Sequence, residues 1–183
     1  MKLSSLAVAA IASVPFAASA SVLTIGGNYA VSCYEAADGH RATTEMVELC
    51  DRALTEEALT PDDRVATLVN RGILLLRRQD VKGANADFDA ALQMDPRQPE
   101  AWLNKAVAHA RYGKTIDALP MVAKALEYGT SKPALAYFVR AMGNEDSGRI
   151  AEAYQDLKRA RQLDPNWAEP RIELQRFQVR TKG

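Results

Sequence analysis

Two cysteines and two histidines are the residues of this chain best suited to covalent or metal chemistry, and their spacing limits that chemistry. Cys33 and Cys50 stand 17 residues apart. That interval is wrong for a CxxC redox site or a paired zinc knuckle. His40 lies between them, but Cys, His and Cys make only three ligands. Pairing into a disulfide is the expected fate of two such thiols in an oxidising compartment. His109 has no nucleophile at a useful spacing, so it reads as a packing residue rather than a general base. Asp62-Asp63 read as helix-start acids. Asp87 and Asp89 are two residues apart and so point to different faces of a helix. The chain has no GxSxG, HExxH, P-loop or GxGxxG motif. No catalytic, cofactor-binding or metal site is expected, and the chain does not read as an enzyme.

The beginning of the chain reads as an export signal. Lys2 supplies the positive start, an apolar run extends from Leu6 to Phe16, and Ala18-Ser19-Ala20 supplies the small residues before a cut. The run is too short for a membrane span, which needs about 20 apolar residues. Cleavage is expected after Ala20. The next residue is Ser21 rather than Cys, so no lipid anchor is expected there. The compact signal with one Lys looks bacterial, which places the mature protein in the periplasm or outside the cell.

Composition bounds the partners. The 183 residues carry 23 Lys+Arg against 23 Asp+Glu, so no net charge draws the chain to nucleic acid. The charge is uneven: Ser21 to Asp63 holds 9 acids and 2 bases, while the rest of the mature chain is net basic. Lys158, Arg159, Arg161, Arg171, Arg176 and Arg180 are interrupted by Asp156, Asp164 and Glu173, as on solvated helix faces.

The elements that must position these residues come from an internal repeat. Asp95-Pro96 and Asp164-Pro165 are 69 residues apart, two periods of 34 or 35, and a third copy lies between them. Ala84, Ala118 and Ala153 align, as do Ala91, Ala125 and Ala160. Phe88, Val122 and Leu157 stand between them, so small, large and small residues at i, i+4 and i+7 share one helical face. An earlier helix begins at Leu68, Trp102 or Tyr137, with Gly72, Ala106 or Ala141 one turn later. Gln79-Asp80, Gly113-Lys114 and Gly148-Arg149 mark the turn between the two helices. Each copy is therefore helix, turn, helix, and buries its apolar faces only by stacking on its neighbours.

This pattern resembles the tetratricopeptide repeat (TPR), with small residues, a bulky anchor and a closing Pro at that family's spacing. On its register the copies span 65–98, 99–133 and 134–167. The resemblance implies an all-α solenoid, a right-handed superhelix of helical hairpins. The second copy departs from the pattern, with Gly129-Thr130-Ser131 in place of Asp-Pro and Pro120 inside its second helix. Residues 21–64 read as an N-terminal extension and a degenerate repeat, whose register sets Cys33 opposite Cys50 across a hairpin. Residues 168–183 read as a capping helix and tail, the helix running from Ala168 to about Arg180.

In this family the first helix of each copy lines a concave groove. Here that face offers Val69, Ile73, Leu76, Leu103, Val107, Leu135, Phe138 and Met142, rimmed by Arg77 and Arg111. So many large apolar residues are unusual on a surface meeting water. Two readings stay open: a groove for a protein or peptide partner, or a face covered by the chain itself through Val22-Leu23-Thr24-Ile25 or the C-terminal helix. Asn70 and Asn104 occupy positions used by carboxylate-binding relatives, but Val69, Ile73 and Leu135 replace the polar groups such a clamp needs. The two Asn therefore read as hydrogen bonders between packed helices. The resemblance implies a protein–protein interaction scaffold or adaptor in the periplasm, with a holdase-like chaperone as the alternative and an unrecognised enzyme as a remote one. No nucleic acid, membrane span or lipid anchor is expected.

Overall fold

In the computed structural model of the protein, residues 2–4, 20–24, 27–39 and 41–180 are described. His40, Ile25 and most of the export signal lie outside these residues. The described residues form helices α1 (Asn28–Asp38), α2 (Thr44–Glu56), α3 (Pro61–Arg77), α4 (Val81–Met94), α5 (Pro99–Arg111), α6 (Thr115–Glu127), α7 (Pro133–Asp146), α8 (Ile150–Leu163) and α9 (Ala168–Leu174). Successive pairs α3/α4, α5/α6 and α7/α8 pack as antiparallel hairpins, and α1 pairs with α2. α1, α3, α5 and α7 also lie side by side and make the inner layer.

Local sequence sets the helix ends. The Thr60 Oγ1 accepts a hydrogen bond from the Asp63 amide at 3.1 Å, Pro61 takes the first helical position, and Asp62 and Asp63 face the positive end of the dipole. At α4, Asp80 accepts from the Gly83 amide at 2.9 Å. Each hairpin turn passes through the left-handed region at the same repeat position: Gly113 at φ 75°, Gly148 at φ 74°, and Gln79 at φ 68°. Glycine fits that conformation without a Cβ clash, whereas Gln79 carries the strain.

The predicted small-to-large packing is present. A Cβ on Gly72 would sit 2.5 Å from the ring of Phe88, so only glycine lets α3 and α4 meet there. Phe88, Val122, Ala84, Ala118, Ala153, Ala91, Ala125 and Ala160 are all fully buried, and Leu157 nearly so. Each hairpin's apolar face is thus removed from water, worth about 25 cal/mol per Å².

Ion pairs stitch the helices together. Arg71 of α3 grips Asp87 of α4 through two hydrogen bonds of 2.8 and 2.6 Å, and Asp51 of α2 at 2.6 Å. One two-period step later, Arg140 grips Asp156 in the same manner at 2.9 and 2.6 Å. Asp89, on the other face of α4, pairs with Lys105 of α5. The different faces expected of Asp87 and Asp89 therefore serve different neighbours.

The C-terminal helix is shorter than expected. α9 ends at Leu174, and Gln178–Arg180 pairs antiparallel with Lys2–Ser4 instead of continuing the helix. Leu174 and Phe177 still pack on the core, and Phe177 lies 5.8 Å from the Tyr154 ring, while Ile172 is exposed. Arg176 pairs with Glu145 and Glu173, so this member of the basic stretch is neutralised.

Candidate functional site

The inner face carries the eight apolar residues singled out in the sequence. α3 contributes Val69, Ile73 and Leu76; α5 contributes Leu103 and Val107; α7 contributes Leu135, Phe138 and Met142. All eight are buried. Arg77 is half-buried and Arg111 exposed at the end of α5. The face is therefore not open to water along these residues.

Part of its cover is the extended segment Ala20–Thr24. Asn70 holds the backbone of this segment with both polar atoms of its amide: its Oδ1 accepts from the Val22 amide at 2.8 Å, and its Nδ2 donates to the Val22 carbonyl at 2.7 Å. Asn104 of the next inner helix donates to the Ala20 carbonyl at 3.1 Å and to its own helix at Glu100 O at 2.9 Å. This corrects the expectation that both Asn bond between packed helices. They sit one repeat apart on adjacent inner helices and grip main chain two residues apart. Ala20 and Thr24 are buried, Val22 packs on the core, and Leu23 points out at 64% exposure.

The segment is tied to α1. Thr24 Oγ1 donates to the Ala30 carbonyl at 2.7 Å, and Ser21 Oγ donates to Asp38 Oδ1 at 2.9 Å. α1 is itself anchored at its start and at its middle. Its amides at Tyr29 and Ala30 donate to the Glu57 carboxylate at 2.8 and 3.1 Å, a favourable charge at a helix start. The Cys33 and Cys50 sulfurs are 2.09 Å apart, at disulfide-bond distance, and join α1 to α2. Beside the segment, Val22 and Leu23 border a hollow lined also by Asp62, Asp63, Asp95 and Gln98.

Electrostatics on the face are subdued. Burial lowers the Arg77 guanidinium from its ordinary range, with Asp38 acting in the opposite direction. Burial raises the Glu145 carboxyl, against the pull of Arg176. Glu100, at the start of α5, is buried and accepts the Ser131 amide at 2.7 Å, which fixes the entry to α7 where the second copy lacks its Asp-Pro. At the far end, Trp167 covers Phe138 with ring centroids 4.8 Å apart. His109 lies on α5 with its Nδ1 buried and unpartnered. Burial first, and then Lys105, hold its imidazole below the usual value. Among the described residues, no three of His, Cys, Asp and Glu converge as a metal site would require. What the inner face holds is a segment of this chain's own backbone.

The arrangement of inner helices gripping an extended segment can be set beside known structures. The first TPR domain of the human RPAP3 protein, solved by NMR, superposes with a TM-score of 0.57 at 23% identity, over 63% of this chain and 90% of that one. The fold is that of a TPR solenoid. MamA from Desulfovibrio magneticus RS-1 (residue 41 to the end) matches with a TM-score of 0.62 at 19% identity, over 81% of this chain and 82% of that one. A MamA RS-1 double mutant matches to the same degree. At these identities the likeness is one of fold. No protein-family model and no curated sequence matches the chain.

On the TPR solenoid, Asn70 and Asn104 are the residues of this face whose partners the sequence reading misassigned. The signal was their recurrence 34 residues apart on the inner face. What it lacked was the backbone they hold. Among the described residues no helix is long and apolar enough to cross a membrane.

Proposed function

We propose that this protein is an exported bacterial scaffold that binds another protein through the inner face of its solenoid. The observation that carries this reading is the pair of hydrogen bonds by which Asn70 holds both the N–H and the C=O of Val22. An amide that pairs with both the N–H and the C=O of one residue selects extended chain, whatever its side chain, and excludes helix, whose backbone groups are already bonded. The apolar residues around Asn70 are already buried, so a bound segment makes apolar contact there by taking the place of Val22, which packs on the core. Export is supported by Lys2, the Leu6–Phe16 run and Ala18-Ser19-Ala20, and by the Cys33–Cys50 pair.

The test has two parts. Expressed in a bacterium with an outer membrane, the protein should be recovered by osmotic shock as a chain beginning at Ser21, with no free thiol. A chain retaining Met1 in the cytoplasm refutes export. A partner captured in the periplasm by cross-linking should be lost when Asn70→Ala and Asn104→Ala are combined. Capture that survives both changes refutes the inner face as the binding surface.

A further inference from the structure

We propose that Ser21–Thr24 is a resident strap on the inner face, a tethered competitor that an incoming extended segment must displace from Asn70. The displacement rests on the binding role given above; the occupancy rests on the geometry alone.

Four observations converge on this short stretch. Asn70, fully buried, turns both polar atoms of its amide to Val22: Oδ1 accepts from the N–H and Nδ2 donates to the C=O of that one residue. Any other extended segment that used Asn70 would need the same two bonds, so both cannot bind at once. The strap is not an extension of α1 by continuous helix. It is an extended piece joined through Thr24 to Ala30 and through Ser21 to Asp38. Those ties lie at the two ends of α1, so the strap runs back along the helix that leads away from it. Leu23 at its centre is 64% exposed, although it is apolar.

The competitor's chemistry defines the ligand. It is an extended polypeptide, read by its backbone at Asn70, with an aliphatic side chain in the place of Val22. Next to that place the hollow edge carries Asp62, Asp63 and Asp95. A segment with a Lys or Arg after its aliphatic residue meets these acids, where the strap offers only Leu23. That difference gives such a segment an advantage over the strap.

The strap also limits affinity by simple competition. A short tether holds its segment at an effective concentration in the millimolar range. A free ligand is weakened by the ratio of closed to open face. Removing the strap's grip therefore strengthens binding without adding a contact.

The experiment uses the mature chain from Ser21 to Gly183 and a synthetic peptide of the sequence of residues 21–27, labelled at its C-terminus with fluorescein. Val22→Pro removes the amide that Asn70 accepts. Fluorescence anisotropy should show the peptide binding the Val22→Pro protein at least tenfold more tightly than the unaltered one. Adding Asn70→Ala to Val22→Pro should reverse the gain. Equal affinity for the unaltered and Val22→Pro proteins overturns the strap, as does a gain that survives Asn70→Ala. Amide hydrogen exchange on the unaltered protein keeps the test open should Val22→Pro fold poorly. The Val22 amide should exchange at least a hundredfold more slowly than in an unstructured peptide, and Asn70→Ala should abolish that protection. Exchange at the unstructured rate overturns the strap. If Val22→Pro binds the peptide but captures no protein in the periplasm, the partner reading fails while the strap stands.

Discussion

At the scale of single residues, the inner face works through side chains that satisfy main chain. Asn70 is buried because each of its polar atoms has a partner, and those partners belong to a segment 48 residues earlier. Glu100 does similar work for the loop before α7. His109 is the contrast, since its buried Nδ1 has no partner. Burial and Lys105 hold its pKa below the ordinary value of about 6.5. The unfolded chain therefore takes up the proton first as pH falls. Its contribution is a stability present above about pH 6.5 that declines as pH drops below that value. His109→Phe keeps the ring and removes the titration. Urea unfolding of both proteins at pH 7.5 and 5.5 should show the unaltered protein losing more stability across that interval. Equal losses would sink this account.

At the scale of elements, the covalent link decides more than its own hairpin. Cys33 lies in α1 and Cys50 in α2, and α1 carries the ties to Thr24 and Ser21. Closing a loop of this size stabilises by about 3 kcal/mol in the chain-entropy model. Replacing both cysteines by Ser should lower the thermal midpoint by about ten degrees for a chain of this length. It should also speed exchange at the Val22 amide, because the strap depends on α1 being held against α3. An unchanged midpoint would mean that packing alone positions α1. Among the other elements, the hairpin ion pairs recur with the repeat: Arg71–Asp87 and Arg140–Asp156 are related by the same 69-residue step as the Asp-Pro pairs. Asp87 and Asp156 are buried, so removing Arg71 or Arg140 would leave a carboxylate without its charge partner in a poorly solvated place. Gly143 is a further close approach, since a Cβ there would sit 2.6 Å from the Thr115 carbonyl of α6.

At the scale of the whole molecule, the question is whether the inner face meets water, a partner or the chain itself. Phe138 is 1% exposed beneath Trp167. Phe138→Asp would place a carboxylate in that contact without a compensating charge, at a cost of roughly several kcal/mol. That is a large part of the stability of an ordinary domain. The melting temperature should fall by ten degrees or more. A variant that melts with the unaltered protein would show the Phe138 end of the face to be open in solution. The Val22 end is governed by a different contact, so the two ends can respond independently.

The repeat, its hairpins and their packing faces were legible in the sequence because they are local. Ala84, Phe88 and Ala91 meet their partners through spacings of three and four residues, and helical geometry makes those spacings a face wherever the chain goes. The Cys33–Cys50 pairing was legible for a related reason: there were two thiols and one register that opposed them. The roles of Asn70 and Asn104 were not. Their partners are main-chain groups 48 and 84 residues away, and a peptide unit has no side-chain signature by which a sequence could announce it. The early end of α9 was not legible either: after Leu174 the amides of Gln175, Arg176 and Phe177 turn back to the carbonyls of Ile172, Glu173 and Leu174, a tightening of the backbone that the apolar spacing of Ile172, Leu174 and Phe177 does not reveal. Sequence alone determined that an apolar inner face would exist; only the tertiary structure decided what lies on it, since any extended segment of this chain could have supplied the same backbone bonds.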